Sequence, residues 1–346
     1  LNGVNRDSIY IHHDTWNGSH VINEMQRSSL KSDAWLYTDM GGYDNELDKY
    51  VKKYPSARSN YEKIPKEIRK PYATKDAIVT FRNYKAQQQK FEEINSIIKE
   101  DIRWTTSEYF YEIVMPTVNM FIDVELEGMI VDWDILKKLS GELDENIKEA
   151  HKNVCSILNI EEDFVNLDGP DLGMLLELKG WPNMGRSKDK PNRRKAQHLS
   201  KYFDRTLDVN KGVYLTGKDP LSKWRKLGYQ DEVDAIFHYR ELTTLMDTFI
   251  GREENKSGYF QYRQPDGRLH STFGAMLTNS HRNWSRDPNL QNCPKQGDRA
   301  KWYRKIFPPP SDDYYFVEFD AAGLQLRIGA ILSGDKTMSD SFVNQD

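Results

Sequence analysis

Asp320 follows directly on the apolar stretch Phe316-Val317-Glu318-Phe319 and precedes Ala321-Ala322-Gly323-Leu324-Gln325-Leu326-Arg327. This pattern predicts a buried strand over 313–319 that ends in a carboxylate, with a helix over 323–332 starting behind it. A carboxylate held at such a sheet rim is a ligand for a divalent cation, and the N–H groups of a helix start suit a phosphate. Phosphoryl transfer uses that arrangement, because its catalysis is largely positioning and charge neutralisation by Mg²⁺. A helix-capping aspartate is the plainer alternative for Asp320.

Three other groups of residues call for a reading. Segment 186–205 carries Arg186, Lys188, Lys190, Arg193, Arg194, Lys195, Lys201 and Arg205 against Asp189 and Asp204, a local charge of +6 in a chain of net charge −4. Such a run neutralises nucleic-acid phosphates in a salt-dependent, sequence-independent way; otherwise it is a solvated loop. Arg282, Asn289, Gln291 and Asn292 form a polar cluster whose donors suit the minor-groove acceptors present on every base pair. Loop-stabilising hydrogen bonds are the competing use, for Asn289 above all. His12, His13, Asp14 and His20 match no standard zinc spacing.

The elements that must position these groups are mainly helical. Ile135, Leu139, Leu143, Ile147, Ala150, Val154 and Ile157 recur at steps of three and four, which predicts an amphipathic helix over 134–158 capped by Asp132 or Asp134, with Cys155 in its packing. Helices are expected over 231–250, over 104–123 with a break at Met115-Pro116, and from Pro71 onward on an apolar face of Ala77, Phe81, Tyr84, Phe91, Ile94 and Ile98. Segment 181–220, polar and dotted with Pro and Gly, should be loop-rich. A length of 346 residues allows two or three domains. A mean hydropathy of −0.79 and the lack of a long apolar run exclude a membrane-spanning chain. Two cysteines form no framework, which points to a reducing, cytoplasmic compartment.

Two segments in order carry a resemblance. Arg286-Asp287-Pro288-Asn289-Leu290-Gln291-Asn292-Cys293-Pro294 resembles the "DPNLQNIP" stretch of family A DNA polymerases, the bacterial DNA polymerase I and phage replicative type. Asp320 to Arg327 resembles the palm motif that follows it, in the phage-like form with small residues after the aspartate. The likeness extends along most of the chain. Pro71-Tyr72-Ala73-Thr74-Lys75-Asp76 resembles the third motif of the associated 3′–5′ exonuclease. Helical spacing puts Tyr72 and Asp76 on one face, where the phenol can orient a water and the carboxylate can bind metal. His13-Asp14-Thr15-Trp16 resembles a noncatalytic stretch of that domain. Segments 115–132, 164–172 and His238-Tyr239-Arg240-Glu241-Leu242 resemble parts of the thumb.

The resemblance implies an α/β chain: the end of a DnaQ-like exonuclease domain over 1–105, a helical thumb over 106–255, and the first part of a polymerase palm over 256–346, cut before the fingers. It implies extension of a DNA primer from dNTPs on a primer–template, with Asp320 and Asp76 as Mg²⁺ ligands and catalytic residues alongside Tyr72. Ala321 and Gln325 would face the nucleotide, and Arg240, Arg282, Asn289, Gln291, Asn292, Arg193, Arg194 and Lys195 the DNA. There are departures. The family's "TGRLSS" reads Ser280-His281-Arg282-Asn283-Trp284-Ser285, the sugar-pocket glutamate is Gln325, and two thumb lysines are Thr244 and Met246. The first two exonuclease carboxylate motifs are not present, and the second palm motif would lie beyond Asp346. Since the chain opens on Leu1 and closes without a terminal signature, a partial chain is expected, inactive alone. The alternatives are a DnaQ-like nuclease with a degenerate polymerase region, and a non-catalytic DNA-binding subunit that works with a separately encoded C-terminal half.

Overall fold

The structure is a computed structural model that describes residues 9–26, 28–97, 104–162, 167, 169–188, 190–294, 300 and 303–343. Ile98, Asp168, Asp189 and most of the segment 164–168 lie outside the described residues. Helices dominate. In chain order they are α1 (Thr15–Ile22), α2 (Leu30–Tyr37), α3 (Asn45–Lys53), α4 (Lys66–Ile97), α5 (Thr106–Tyr109), α6 (Met115–Glu127), α7 (Trp133–Ile157), α8 (Gly169–Leu178), α9 (Arg193–Phe203), α10 (Lys218–Lys226), α11 (Gln230–Leu245), α12 (Leu324–Ser333) and α13 (Lys336–Val343). Two short antiparallel ladders join them. β1 (Met129–Ile130) pairs with β2 (Arg268–Leu269), Met129 opposite Leu269. β3 (Thr272–Gly274) pairs with β4 (Trp284–Arg286), Phe273 opposite Ser285. Among the described residues no helix is long and apolar enough to cross a membrane.

The local chemistry of the chain explains most helix starts. Asp14 accepts from the N–H groups of Trp16 and Asn17, and opens α1. Asp132 does the same for Asp134 and Ile135 at α7, the cap expected there, and Asn192 for Arg194 and Lys195 at α9. The expected break at Met115-Pro116 is a π-helical turn over Phe110–Val114, directly ahead of α6. Proline cannot donate a backbone hydrogen bond, and a wider turn before it absorbs the mismatch. A second π turn, Met246–Ile250, prolongs α11.

One large core sits between α7 and α11. Leu136, Leu139, Leu143 and Val154 of α7 pack with Val233, Ile236, Leu242 and Leu245 of α11, joined by Cys155, Trp224, Tyr259 and Tyr303. Each such fully buried aliphatic side chain contributes about 1.5–3 kcal/mol. The spacing located this face well, apart from Ile157, which is exposed. Trp224 is buried and donates its indole N–H to the Pro182 carbonyl at 2.7 Å. A satellite core of Met174, Leu178, Ala196, Leu199, Leu207 and Val213 joins α8 to α9. The stretch expected to be loop-rich therefore contains the 11-residue helix α9 and part of α10. Their apolar positions are few, but enough to cover one side.

Two expectations are corrected. The face of α4 was expected to bury Ala77, Phe81 and Tyr84. Phe91 of the expected face is buried, but Ala77 and Phe81 are exposed, and Val79, Asn83 and Gln87 are buried in their place. A polar network sets that register. Gln87 donates to the Thr15 carbonyl and to Ser19 Oγ, both at 2.8 Å, and its Oε1 lies 2.8 Å from His13 Nε2. The strand expected over 313–319 does not form: Tyr315, Phe316, Val317 and Phe319 are exposed, the last at 93%. A strand needs a laterally paired neighbour for its N–H and C=O groups, and among the described residues none lies alongside. Helix α12 does follow, as expected.

Candidate nucleic-acid interface

Asp320 lies on the exposed segment just before α12. The carbonyl of Ala321 accepts from the Leu324 N–H at 3.2 Å, and the Ala322 carbonyl accepts from Arg327 Nε at 3.0 Å, so this turn is tied to the helix start. Gly323 makes the turn with a φ of 62°, the left-handed region that favours glycine. Gln325 is exposed on the first turn of α12. The carboxylate oxygens of Asp320 suit a hard cation. Among the described residues, however, no three His, Cys, Asp or Glu side chains converge on a metal position. Asp320 thus presents a single ligand, and these residues do not complete a magnesium site.

The loop between β4 and Pro294 is held from inside. Ser271 and Ser285 are buried with their hydroxyls 2.7 Å apart, and Ser271 Oγ donates to the Pro288 carbonyl at 2.7 Å. Leu290 N–H donates to Ser285 Oγ at 3.1 Å. Ser285, one of two residues retained from the expected "TGRLSS", is therefore the lock of this loop. Asn289 turns its Oδ1 onto the N–H groups of Gln291 and Asn292, at 3.0 and 3.2 Å, which is the loop-stabilising use. Gln291 and Asn292 are exposed on this loop, and Arg282 is exposed just ahead of β4. The structure thus brings three of the four predicted polar residues to the surface on either side of β4, two of them on the locked loop that Asn289 braces.

The basic segment divides into two sets. Arg186 pairs with Glu177, Nη2 to Oε1 at 2.5 Å, donates to the Gly212 carbonyl at 2.7 Å and lies over the Tyr214 ring at 4.7 Å. Lys195 pairs with Asp171 at 2.5 Å, and Arg205 donates to the Leu178 carbonyl at 2.8 Å. Lys195 and Arg205 tie α9 and its C-terminal end to α8, and Arg186 ties α8 to the turn at Gly212. Arg193 and Arg194 stand exposed on the first turn of α9, with Lys201 exposed further along. Two cations at a helix N-terminus oppose its dipole, so an anion bound there would relieve that repulsion. Arg240 is half-buried, and its guanidinium donates to the carbonyl of Thr216 and, at 3.1 Å, to that residue's hydroxyl. In this structure it braces the loop ahead of α10.

Tyr72 and Asp76 share one face of α4, as spacing required. Tyr43, which the sequence reading missed, joins them: its hydroxyl donates to Asp76 Oδ1 at 2.5 Å, and its ring stacks on that of Tyr72 with centroids 6.1 Å apart. Partial burial, then the adjacent Asp76 carboxylate, pushes both phenols far above their ordinary range. Both phenols therefore remain protonated donors. The sequence carries no local sign of Tyr43, which sits in the turn before α3. His13 and His20 serve packing and hydrogen bonding, His20 Nε2 lying 3.0 Å from the Thr278 carbonyl.

Comparison with known proteins places this geometry. The chain is 29% identical over 240 residues to DNA polymerase I of Bacillus subtilis, covering 68% of this chain and 23% of the relative. It is 25% identical over 343 residues to the DNA polymerase of Escherichia phage T5, covering 96% and 36%. The chain thus spans well under half the length of these relatives. Among solved structures, the POL domain of a polymerase from M. smegmatis, in complex with DNA primer-template and dNTP, superposes with a TM-score of 0.62 at 18% identity. That match covers 94% of this chain and 46% of the other, and it speaks to the fold. The family model for DNA polymerase family A matches residues 134–346. That match takes in α9, the loop locked by Ser285 and the Asp320 turn, and it covers more than half of the sequence: the chain belongs to DNA polymerase family A.

Proposed function

We propose that this chain is the primer–template-holding part of a DNA-templated DNA polymerase. The whole enzyme transfers nucleotides from dNTPs to a primer 3′ end by a two-metal mechanism. The observation that carries this is the family match over 134–346, with the locked 285–294 loop and the Asp320 turn in the expected order. In this reading residues 106–255 are the thumb and α9 is its tip, set against duplex phosphates. Residues 256–346 begin the palm, where Arg282, Gln291 and Asn292 lie along the minor groove. Asp320 supplies one Mg²⁺ ligand, and two-metal transfer requires further carboxylate oxygens. Ala321 and Gln325 adjoin the incoming nucleotide.

The purified chain, incubated with primer–template, Mg²⁺ and four dNTPs, is expected to bind the DNA and not to extend it. Robust templated extension would contradict the assignment of a single catalytic carboxylate. Failure to bind primer–template at low salt would contradict the function itself.

A second reading has one observation in its favour, the Tyr43, Tyr72 and Asp76 grouping on α4. It makes residues 1–105 the end of a 3′–5′ proofreading domain, with Asp76 on a metal and Tyr72 on a water. Trimming of a single strand by the chain with Mg²⁺, abolished by Asp76→Ala, would establish it. Trimming that survives Asp76→Ala would remove Asp76 from any such role.

A further inference from the structure

A cleft of about 270 Å³ opens where α1 and α6 meet the β3–β4 ladder. Aromatic rings from distant parts of the chain build its walls. Trp16 of α1 and Trp284 of β4 have centroids 6.4 Å apart, with their planes inclined at 53°. Phe121 of α6 stacks on Phe273 of β3 at 5.0 Å and 12°. The Arg286 guanidinium lies 4.9 Å from the centre of the Trp284 ring. Gly274 is what lets Trp284 lie against the ladder, because a Cβ there would meet the indole at 2.1 Å.

The two indoles are not packed as a core pair. Trp16 is 45% exposed, and the cleft that both line is open to solvent. At 6.4 Å and 53° the two indoles are in direct inclined aromatic contact, so together they form one wall on which a flat ring can stack. The polar groups are graded along the cleft. Asp14 caps α1, and Glu125 accepts the Phe273 N–H at 2.6 Å, so both carboxylates are anchored in the wall. They repel a phosphate and accept from amino groups. Arg286 is exposed; its Nε lies 3.7 Å from Asp287 Oδ2, a loose pair that leaves the guanidinium able to attract a phosphate. An aromatic slot lined by acceptors, with a cation over one wall, matches one nucleotide: base inside, phosphate outside.

We infer that this cleft takes an unpaired nucleobase of single-stranded DNA, stacked against Trp16 and Trp284, with the adjoining phosphate on Arg286. Position favours DNA as the occupant, since β4 runs directly between Arg282 and the Asn289–Asn292 loop. The inference rests in that respect on the proposed function, which sets this loop along the primer–template. Stacking on aromatic side chains serves sequence-tolerant single-strand binding, and cation–π contacts from arginine add to it.

The test is fluorescence anisotropy of a labelled single-stranded oligonucleotide and of a blunt duplex, with the whole chain. Trp284→Ala and, separately, the surface variant Trp16→Ala are expected to weaken single-strand binding roughly five- to a hundredfold and to leave duplex binding unchanged. Trp284→Phe should restore most of it. With the wild-type protein, an oligonucleotide of abasic residues should show the same loss. Arg286→Gln should lower the salt dependence of single-strand binding by about one phosphate contact. Equal affinity of the wild type for the abasic and natural strands would overturn the inference, as would equal losses for single strand and duplex in Trp16→Ala. Loss confined to the single strand, in a protein whose duplex binding ignores Arg193 and Arg194, would uphold the cleft and overturn the thumb assignment instead.

Discussion

Single side chains show where this chain departs from a simple apolar interior. Gln87 links His13, Thr15 and Ser19 and is completely buried. Ser19 Oγ in turn donates to Asp33 Oδ2 at 2.8 Å, and Ser28 Oγ to the same oxygen at 2.9 Å. Burial raises the Asp33 carboxyl above its usual range, against the opposing pull of those hydroxyls. Asn83, one turn before Gln87, is equally buried, but neither its Oδ1 nor its Nδ2 has a hydrogen-bond partner among the described residues. Leaving a buried polar group unpaired costs about 1–3 kcal/mol. Asn83→Leu, close in shape, is therefore expected to raise the unfolding free energy by about 1 kcal/mol, read as a higher urea midpoint at unchanged slope. A lower midpoint would show that the amide is satisfied and useful. None of this network was visible in the sequence. Its members alternate with exposed apolar residues such as Phe81, so periodicity located Phe91 but misplaced the rest of the buried face of α4.

Elements were legible where one physical signal dominated. Helix α7 has seven apolar residues at steps of three and four plus a capping aspartate, and Trp133–Ile157 agrees with the expectation within a residue at each end. Helix α9 was hidden because only Ala196 and Leu199 point inward, and the charges around them read as loop. The stretch 313–319 has the composition of a strand, but composition does not supply a neighbour to pair with. The β1–β2 ladder, from segments far apart in sequence, was not foreseeable and carries a pH signature. His270, next to β2, has Nδ1 at 2.7 Å from the Glu125 carbonyl and Nε2 at 2.9 Å from Asp266 Oδ2. Two acceptors favour the doubly protonated ring, so the carbonyl first and then Asp266 raise the His270 pKa, although partial burial opposes them. The ordinary value is about 6.5. The stabilisation is thus fully present below that pH and is lost as pH rises through the higher folded-state value. An NMR titration of His270 is expected to give a midpoint above that of the urea-unfolded chain. A midpoint at or below it would remove the imidazolium from the junction.

At the scale of the whole molecule, the fold gathers its proposed DNA contacts on surfaces braced from behind by a few buried polar bonds. Ser271 and Ser285 fix the 285–294 loop, Arg186 with Glu177 fixes α8 against the turn at Gly212, and Arg240 holds Thr216. The sequence flagged Arg186, Lys195 and Arg240 along with Arg193 and Arg194, because residue type alone cannot separate a cation paired inside from one facing solvent. The structure makes that separation. Arg193 and Arg194 face outward, and Lys195 is paired with Asp171. The most direct measurement is therefore the salt dependence of primer–template binding, by the wild type and by the variant with Arg193→Ala, Arg194→Ala and Lys195→Ala together. Each neutralised phosphate adds about 0.9 to the slope of log affinity against log salt. The account predicts that the variant binds more weakly to every sequence and that its slope is shallower by about 2, not 3, because Lys195 already has a partner. Identical slopes for the two proteins would contradict it.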